Sequence, residues 1–179
     1  MKDYERLEAI FHNYGAKEFR WIDPRDIVTA QWVRTKCMFG CKNYGKHACC
    51  PPNVPSVSEC KQLFSEYENG VIFHFSITVE NPDDRHVWSR KMNQLLISVE
   101  REVFLQGYQK TLLLPMSPCG VCDECTGIRE NCKNPSLARP TPEGMAIDVY
   151  STARKYGFPI EVLADFTKPM NRYAFLLVE

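Results

Sequence analysis

The sequence lacks the features of several large classes of protein. No uninterrupted apolar run of about 18 residues, the length that spans a bilayer, is present. No apolar segment follows the charged N-terminus, as it would in a secretory signal. The 22 basic residues equal the 22 acidic residues, so no net charge would draw the chain to nucleic acid or to an anionic membrane. We therefore expect a cytoplasmic protein that binds neither nucleic acid nor a membrane.

Common catalytic and modular motifs are missing as well. The chain has no glycine loop for phosphates, no Gly-x-Ser-x-Gly turn and no interleaved basic and aromatic patch. No internal repeat or long linker divides its 179 residues, of which 44% are hydrophobic. A length and composition of this kind fit one globular domain over residues 1–179.

The hydrophobic patterns predict an α/β fold with a small mixed sheet and flanking helices. A strand, a long helix and a second strand form one βαβ unit in the middle of the chain. Helices are predicted at 2–14, 56–69, 82–106 and 141–157, and strands at 18–22, 71–78, 111–115, 160–163 and 173–178. Two cysteine-rich insertions, at about 35–60 and 117–140, interrupt this pattern, and we expect both to be metal-binding loops.

Cysteine, in contrast, is abundant, with nine residues. Without an export signal these thiols are expected to stay reduced, because the cytosol disfavours disulfides. An odd number of cysteines favours the same conclusion. Metal coordination is therefore the better explanation for them.

The more specific group is Cys119-Gly120-Val121-Cys122-Asp123-Glu124-Cys125, followed by Cys132. Bacterial ferredoxins use three cysteines at this spacing to wrap an iron-sulfur cluster. Here six residues separate Cys125 from Cys132, which leaves Cys132 free to fold back and complete the same [4Fe-4S] cluster. Zinc is the alternative, because four cysteines also form a tetrahedral zinc site.

Another group consists of Cys37, Cys41 and Cys50, in a stretch where we expect a loop. Adjacent cysteines rarely bind one ion together, so one of Cys49 and Cys50 is interpreted as a spare. Cys60 or a group other than cysteine would be the fourth ligand, and a cubane held by three cysteines has one iron open to substrate. The alternative is a zinc ion on these three cysteines and His47.

Basic residues lie near Cys37, Cys41 and Cys50 in the sequence. Arg34, Lys36, Lys42 and Lys46 lie between Ile27 and Ser58, where there is no carboxylate. Their charge would offset a cluster that carries about two net negative charges with its four thiolates. Lys42 and Lys46, with His47, would also suit a small anionic substrate, and the alternative for the lysines is a solvated loop face.

Several motifs together resemble a known family. They are Cys37-x3-Cys41, Asn43-Tyr44-Gly45, Cys50-Pro51-Pro52, the Cys119 loop, Arg139-Pro140 and Ile147-Asp148-Val149. The chain resembles, from Arg34 onward, an uncharacterised cysteine-rich domain of unknown function described as a predicted metal-binding protein of anaerobic bacteria and archaea. This resemblance implies cysteine-bound metal, iron-sulfur before zinc, and no known substrate. The family often has glycine at the position of Ala146, and Cys49 is an extra residue relative to its pattern.

The leading hypothesis is an iron-sulfur protein that carries one or two [4Fe-4S] clusters and passes single electrons to a redox partner protein. A second hypothesis is an enzyme that uses an open iron at Cys37, Cys41 and Cys50 for sulfur transfer, reduction or dehydration. A third is a zinc-stabilised binding module without chemistry of its own.

Overall fold

The computed structural model describes residues 3–165 and 168–179, so residue 2 of the predicted first helix lies outside the described residues. Within those ranges the chain forms one α/β domain, which confirms the expected fold class. Its helices are α1 (Tyr4–Asn13), α2 (Gln31–Gly40), α3 (Val57–Ser65), α4 (Asp84–Leu105) and α5 (Val149–Lys155). Its strands are β1 (Glu18–Ile22), β2 (Asn69–Ile77), β3 (Leu112–Leu114) and β4 (Met170–Val178), with a short 3-10 helix at Pro24–Asp26.

The four strands form one sheet in the order β1-β2-β4-β3. Every pairing between neighbours is antiparallel, with Phe175 of β4 opposite Ile72 of β2 and Leu114 of β3. The strands β2 and β3 therefore run in the same direction, but β4 separates them. The expectation of a mixed sheet is corrected here, because the last strand enters between the two strands that the sequence places in a βαβ unit.

Apolar side chains cover both faces of the sheet. Phe175 and Leu177 of β4 face a core completed by α3 and α5, while Ala174 and Leu176 face a core completed by α1 and α4. Burial on both faces explains the continuous apolar sequence of β4, since no face is left to solvent. Each fully buried Phe or Leu contributes about 1.5–3 kcal/mol of transfer free energy.

The structure differs from the prediction at the first cysteine insertion, where α2 occupies residues expected to form a loop. The N-cap Ala30 makes no side-chain capping bond, and the first turn of α2 contains no acidic residue. The usual signals for a helix start are therefore absent from the sequence. Cys37 lies in the last turn of α2, and Cys41 is its C-cap.

A second difference lies at residues 141–147, where tight turns replace the predicted start of a helix. The amide of Gly144 donates to Thr141 Oγ1 at 2.9 Å, and Ala146 has a φ of 61°. The helix α5 begins only after Asp148, whose carboxylate accepts from the amide of Ser151 at 3.0 Å. The predicted strand at 160–163 is also absent from the described residues; the carbonyl of Ile160 accepts a bond from Arg154 instead.

The ends of β2 and β3 and the start of β4 meet at one edge of the sheet, as shown by the pairing of Ile77 with Met170. The chain leaves β3 at Leu114 and reaches Cys119 at this edge. Residues 117–140, the second cysteine insertion, form turns and irregular structure. This edge therefore carries the cysteine loop, as expected for a ligand site that follows the carboxyl end of a strand. In the described part of the chain, no helix is long and apolar enough to cross a membrane.

Candidate metal centre

The first cysteine group converges on one cavity. Cys37, Cys41 and Cys50 all line a cavity of about 190 Å³, together with Glu143 and Arg172. The helix α2 supplies Cys37 and Cys41, and the following loop supplies Cys50. The structure thus brings together three thiols that the sequence separates by up to thirteen positions. We call these three cysteines the first group.

Hydrogen bonds fix the walls around the first group. Arg34, three residues before Cys37 on α2, donates through Nη2 to the carbonyl of Pro55 at 2.8 Å and to that of Gly144 at 3.0 Å. The loop after α2 is closed by the amide of Gly45, which donates to the carbonyl of Pro51 at 3.0 Å. Because Arg34 reaches both neighbouring segments, α2 and the turns at 141–147 are held at a set separation.

The thiols of Cys37 and Cys50 favour the protonated state when no metal is present. Burial raises the pKa of Cys50 to about 11, and the nearby Cys41 and Cys37 sulfurs act in the same direction. Burial, followed by the Cys41 sulfur, also raises the pKa of Cys37. A bound cation reverses this preference, because a coordinating thiol loses its proton.

The second group is built from the Cys119 loop and from a residue that the sequence left aside. Cys49 is buried, and its thiol is hydrogen-bonded to the sulfur of Cys119. That bond, with the amides of Val121 and Arg139, lowers the pKa of Cys119 to about 6. The same bond raises the pKa of Cys49. The hydrogen bond therefore favours the thiolate at Cys119 and the protonated thiol at Cys49.

Nitrogen donors are directed at the other sulfurs of this loop. Asn134 Nδ2 lies 3.0 Å from Cys122 Sγ, and the amide of Ala48 lies 3.3 Å from Cys125 Sγ. Cys132 follows in a turn closed by its own amide, which donates to the carbonyl of Arg129 at 3.2 Å. We call Cys119, Cys122, Cys125 and Cys132, with Cys49 beside them, the second group. Its donors fit metal-bound thiolates, whose sulfurs accept such bonds.

The two groups adjoin because their loops pack against each other. Asn53 Nδ2 donates to the carbonyl of Gly127 at 2.8 Å. Gly127 has a φ of 76°, and a Cβ there would lie 3.5 Å from the carbonyl oxygen of Lys46. Cys49 faces Cys119, whereas Cys50 lies with Cys37 and Cys41. Two consecutive residues therefore place one sulfur in each group.

A largely buried ion pair connects the segment that follows the Cys119 loop to helix α4. Arg139 Nε lies 2.9 Å from both carboxylate oxygens of Glu100 on α4, and Glu100 also accepts from the amide of Leu113 at 2.8 Å. Helix α4, strand β3 and the loop that carries the Cys119 thiolate are thereby joined. Sequence reasoning missed Glu100, because an acid on a long helix gives no sign that it is buried.

The structure places the other candidate residues differently. Cys60 is fully buried on α3 and donates to the carbonyl of Pro55 at 3.6 Å, and it does not line the cavity of the first group. His47 lies near Cys119 rather than in that cavity, and within the described residues its buried Nδ1 has no hydrogen-bond partner.

Glu143 and Arg172 line the first cavity although no sequence signal marked them. Glu143 is accessible from the cavity, yet dense surrounding protein raises the pKa of its carboxyl by desolvation. The charge of Arg172 acts in the opposite direction on that pKa.

The spacing of the sulfurs bears on which metal fits. Across residues 3–165 and 168–179, no three His, Cys, Asp or Glu side chains are close enough to hold a single metal ion. One zinc ion with Zn–S bonds of about 2.3 Å holds its sulfurs only about 3.8 Å apart. A four-iron cluster binds each thiolate at a separate corner, so it accepts sulfurs that are farther apart.

An α/β domain with two adjoining cysteine groups, one of which has nitrogen donors directed at its sulfurs, has the features of a cysteine-rich metal-binding domain. The chain belongs to the family described as "Predicted metal-binding protein (DUF2284)", whose model matches residues 20–178. This match confirms the resemblance found in the sequence; the family description names neither a metal nor a reaction. No curated protein and no solved structure matches the chain significantly.

Proposed function

We propose that this protein carries two [4Fe-4S] clusters and passes single electrons between a redox partner protein and its own two centres. The observation that carries the proposal is the position of Cys49 and Cys50. These consecutive residues lie in different groups, Cys49 against Cys119 and Cys50 with Cys37 and Cys41. Clusters in the two groups would be neighbours, as a carrier that relays electrons requires.

The ligands of the second cluster would be Cys119, Cys122, Cys125 and Cys132. The first cluster would be held by Cys37, Cys41 and Cys50. When bound, such clusters supply one-electron redox chemistry.

The charges around the two groups support anionic clusters. Arg34, Lys36, Lys42 and Lys46 are near the first group in sequence, and Arg129 Nη1 lies 4.0 Å from Cys49 Sγ in the second. Hydrogen bonds to sulfur and nearby positive charge stabilise the reduced, more negative state of a cluster. The amide of Ala48 and the side chain of Asn134 would do so at Cys125 and Cys122.

The exposed surface of α2 supports a partner with an acidic surface. Trp32, Met38 and Phe39, on the helix that carries Cys37, are exposed by 51%, 50% and 82%. No carboxylate lies between Ile27 and Ser58, so this surface is basic as well as apolar. A redox protein with carboxylates around its own cofactor would complement both properties.

The test is the content of iron, zinc and acid-labile sulfide per chain in protein purified without oxygen. About eight iron and eight sulfide are expected for two clusters, and about four for one. One or two zinc ions without sulfide would refute the redox function and leave a zinc-stabilised binding module.

A second function is favoured by the cavity of the first group, because three cysteines leave one iron of a cubane open. An enzyme for reduction, dehydration or sulfur transfer would bind its substrate there. Mercaptoethanol added to the reduced protein should then change the electron paramagnetic resonance signal of one cluster. If the thiol does not change the signal, the open-iron function is refuted and electron transfer is the function that remains.

A further inference from the structure

A larger cavity adjoins the first group. It has a volume of about 510 Å³ and shares three lining residues, Met116, Glu143 and Arg172, with the cavity of Cys37, Cys41 and Cys50. Sites for small molecules typically have about 300–1,000 Å³. The smaller cavity is lined by the cysteines of the first group, whereas the larger cavity has a volume that can hold a small organic molecule.

The lining of the larger cavity combines apolar walls with positive charge. Apolar and aromatic side chains form most of it, among them Val149, Tyr150, Ile160, Val162 and Tyr173. Its basic residues are Arg85, Lys168 and Arg172, and its acidic residues are Glu143 and Glu161. Such a lining suits a molecule with an apolar body and one anionic group.

Arg172 is the basic residue at the shared wall. It lies near the start of β4, opposite Phe75 of β2. Its Nε donates to Met170 Sδ at 3.4 Å, and thioether sulfur is a weak acceptor. Among the described carboxylates, none lies within ion-pair distance of its guanidinium. A planar guanidinium that lines a cavity can bind the carboxylate of a ligand through two parallel hydrogen bonds.

Glu143 limits what can lie beside Arg172. It lines both cavities next to the guanidinium and is accessible from them. Its carboxyl offers no positive charge to a second anionic group at that end of a ligand and, when ionised, repels such a group. One carboxylate therefore fits the wall better than two.

We propose that the larger cavity binds a monocarboxylic acid with an apolar or aromatic body, and that Arg172 holds its carboxylate. The ligand would lie across the shared wall from Cys37, Cys41 and Cys50. This inference deepens the open-iron function for a metal at the first group, but carboxylate binding itself requires only the cavity and Arg172.

The test is isothermal titration calorimetry with benzoate and with succinate on protein purified without oxygen. Benzoate should bind the wild type more tightly than succinate does. Arg172→Gln should weaken benzoate binding about 10- to 100-fold, because a hydrogen-bonded charge contributes about 1.5–3 kcal/mol. Arg101→Gln, at an exposed position of α4 outside the cavity, is the matched control and should bind as the wild type does.

Two further variants keep the test decisive if Arg172→Gln does not fold. Arg172→Lys retains the positive charge but cannot make the two parallel hydrogen bonds of a guanidinium, so it should bind benzoate with intermediate affinity. Glu143→Gln removes the neighbouring negative charge and should bind benzoate at least as tightly as the wild type. Absence of benzoate binding to the wild type, or undiminished binding in both Arg172 variants, overturns the proposal.

Iron and sulfide measured in the same samples separate this proposal from the proposed function. Iron-free protein that binds benzoate through Arg172 would refute the clusters and support the carboxylate site. Protein with complete clusters but without benzoate binding would refute the carboxylate site alone.

Discussion

The guanidinium of Arg139 lies against the carboxylate of Glu100, with Nε 2.9 Å from each carboxylate oxygen. The side chain of Glu100 is only 7% exposed and that of Arg139 is 23% exposed. Water can therefore hydrate these two charges only slightly if the ion pair is broken. The pair joins the C-terminal part of α4 to the segment whose amide, at Arg139, contacts the Cys119 sulfur. The second group therefore depends on a contact inside the fold.

Glu100→Gln should lower the free energy of unfolding by about 3 kcal/mol, because it leaves the Arg139 charge partly buried without a counter-charge. The amide of Leu113 keeps an acceptor, since glutamine retains one oxygen. Urea denaturation of both proteins measures the difference. Glu102→Gln, at a partly exposed position of the same helix, should change the stability by less than about 0.5 kcal/mol. Equal effects of the two substitutions would contradict the role assigned to the ion pair.

Cys122→Ser should remove most of the visible charge-transfer absorption of the second cluster, because serine replaces a thiolate ligand with a harder oxygen. Absorption spectra and iron content of anaerobically purified protein measure the loss. Cys60→Ala is the control, since Cys60 is buried on α3 and bonded to Pro55. Its iron content should equal that of the wild type. Unchanged iron in Cys122→Ser would show that this cysteine is not a ligand.

Substitutions at the two consecutive cysteines should affect different centres. Cys50→Ser should reduce the iron of a two-cluster protein from about eight to about four per chain, because it disrupts the first group. Cys49→Ala should leave the first cluster intact and alter the electron paramagnetic resonance signal of the second, since its thiol contacts Cys119. The two reduced variants, compared at equal concentration, give the measurement. If both lose the same signal, the two groups are not separate centres.

Removal of the metal should loosen the cysteine loops and leave the sheet folded. The strands are held by apolar cores on both faces, whereas the loops at 41–53 and 118–137 have no comparable core. A metal that binds the loops therefore stabilises them locally. Hydrogen exchange with and without a chelator, under reducing conditions, should show faster exchange in the loops alone. Faster exchange in β2 and β4 as well would show that the whole domain requires metal.

The sequence predicted those helices and strands that depend on signals between residues close together in the chain, such as a capping box. The strand β1 was predicted with its observed bounds, and α3 has the predicted capping box, in which Ser56 and Glu59 bond reciprocally. In contrast, α2 has no side-chain cap, and the turns at 141–147 depend on a left-handed Ala146 that no pattern reveals. Glycine adopts a positive φ without strain, whereas alanine adopts it only at a conformational cost.

The assignment of the cysteines as metal ligands stays a prediction, and the residues that contact them from elsewhere in the chain were missed. Regular spacing marked the cysteines of the Cys119 loop, whereas Cys37, Cys41 and Cys50 follow no standard spacing. The position of Cys49 against Cys119 depends on how two loops pack, and spacing contains no information about that contact. The same reason explains why Arg172 was missed: it reaches the first group only because β4 pairs with β2.

The place of β4 also determines the order of events during synthesis. This strand is the last of the described strands along the chain, yet it lies between β2 and β3 and provides the contacts that join them. All nine cysteines precede it and leave the ribosome before the sheet can close. For a period on the order of seconds the nascent chain therefore presents nine unprotected thiols to oxidants and to stray metal ions. Because β4 joins β2 to β3, the edge of the sheet that carries the cysteine loop is completed only after all of these thiols have been synthesised.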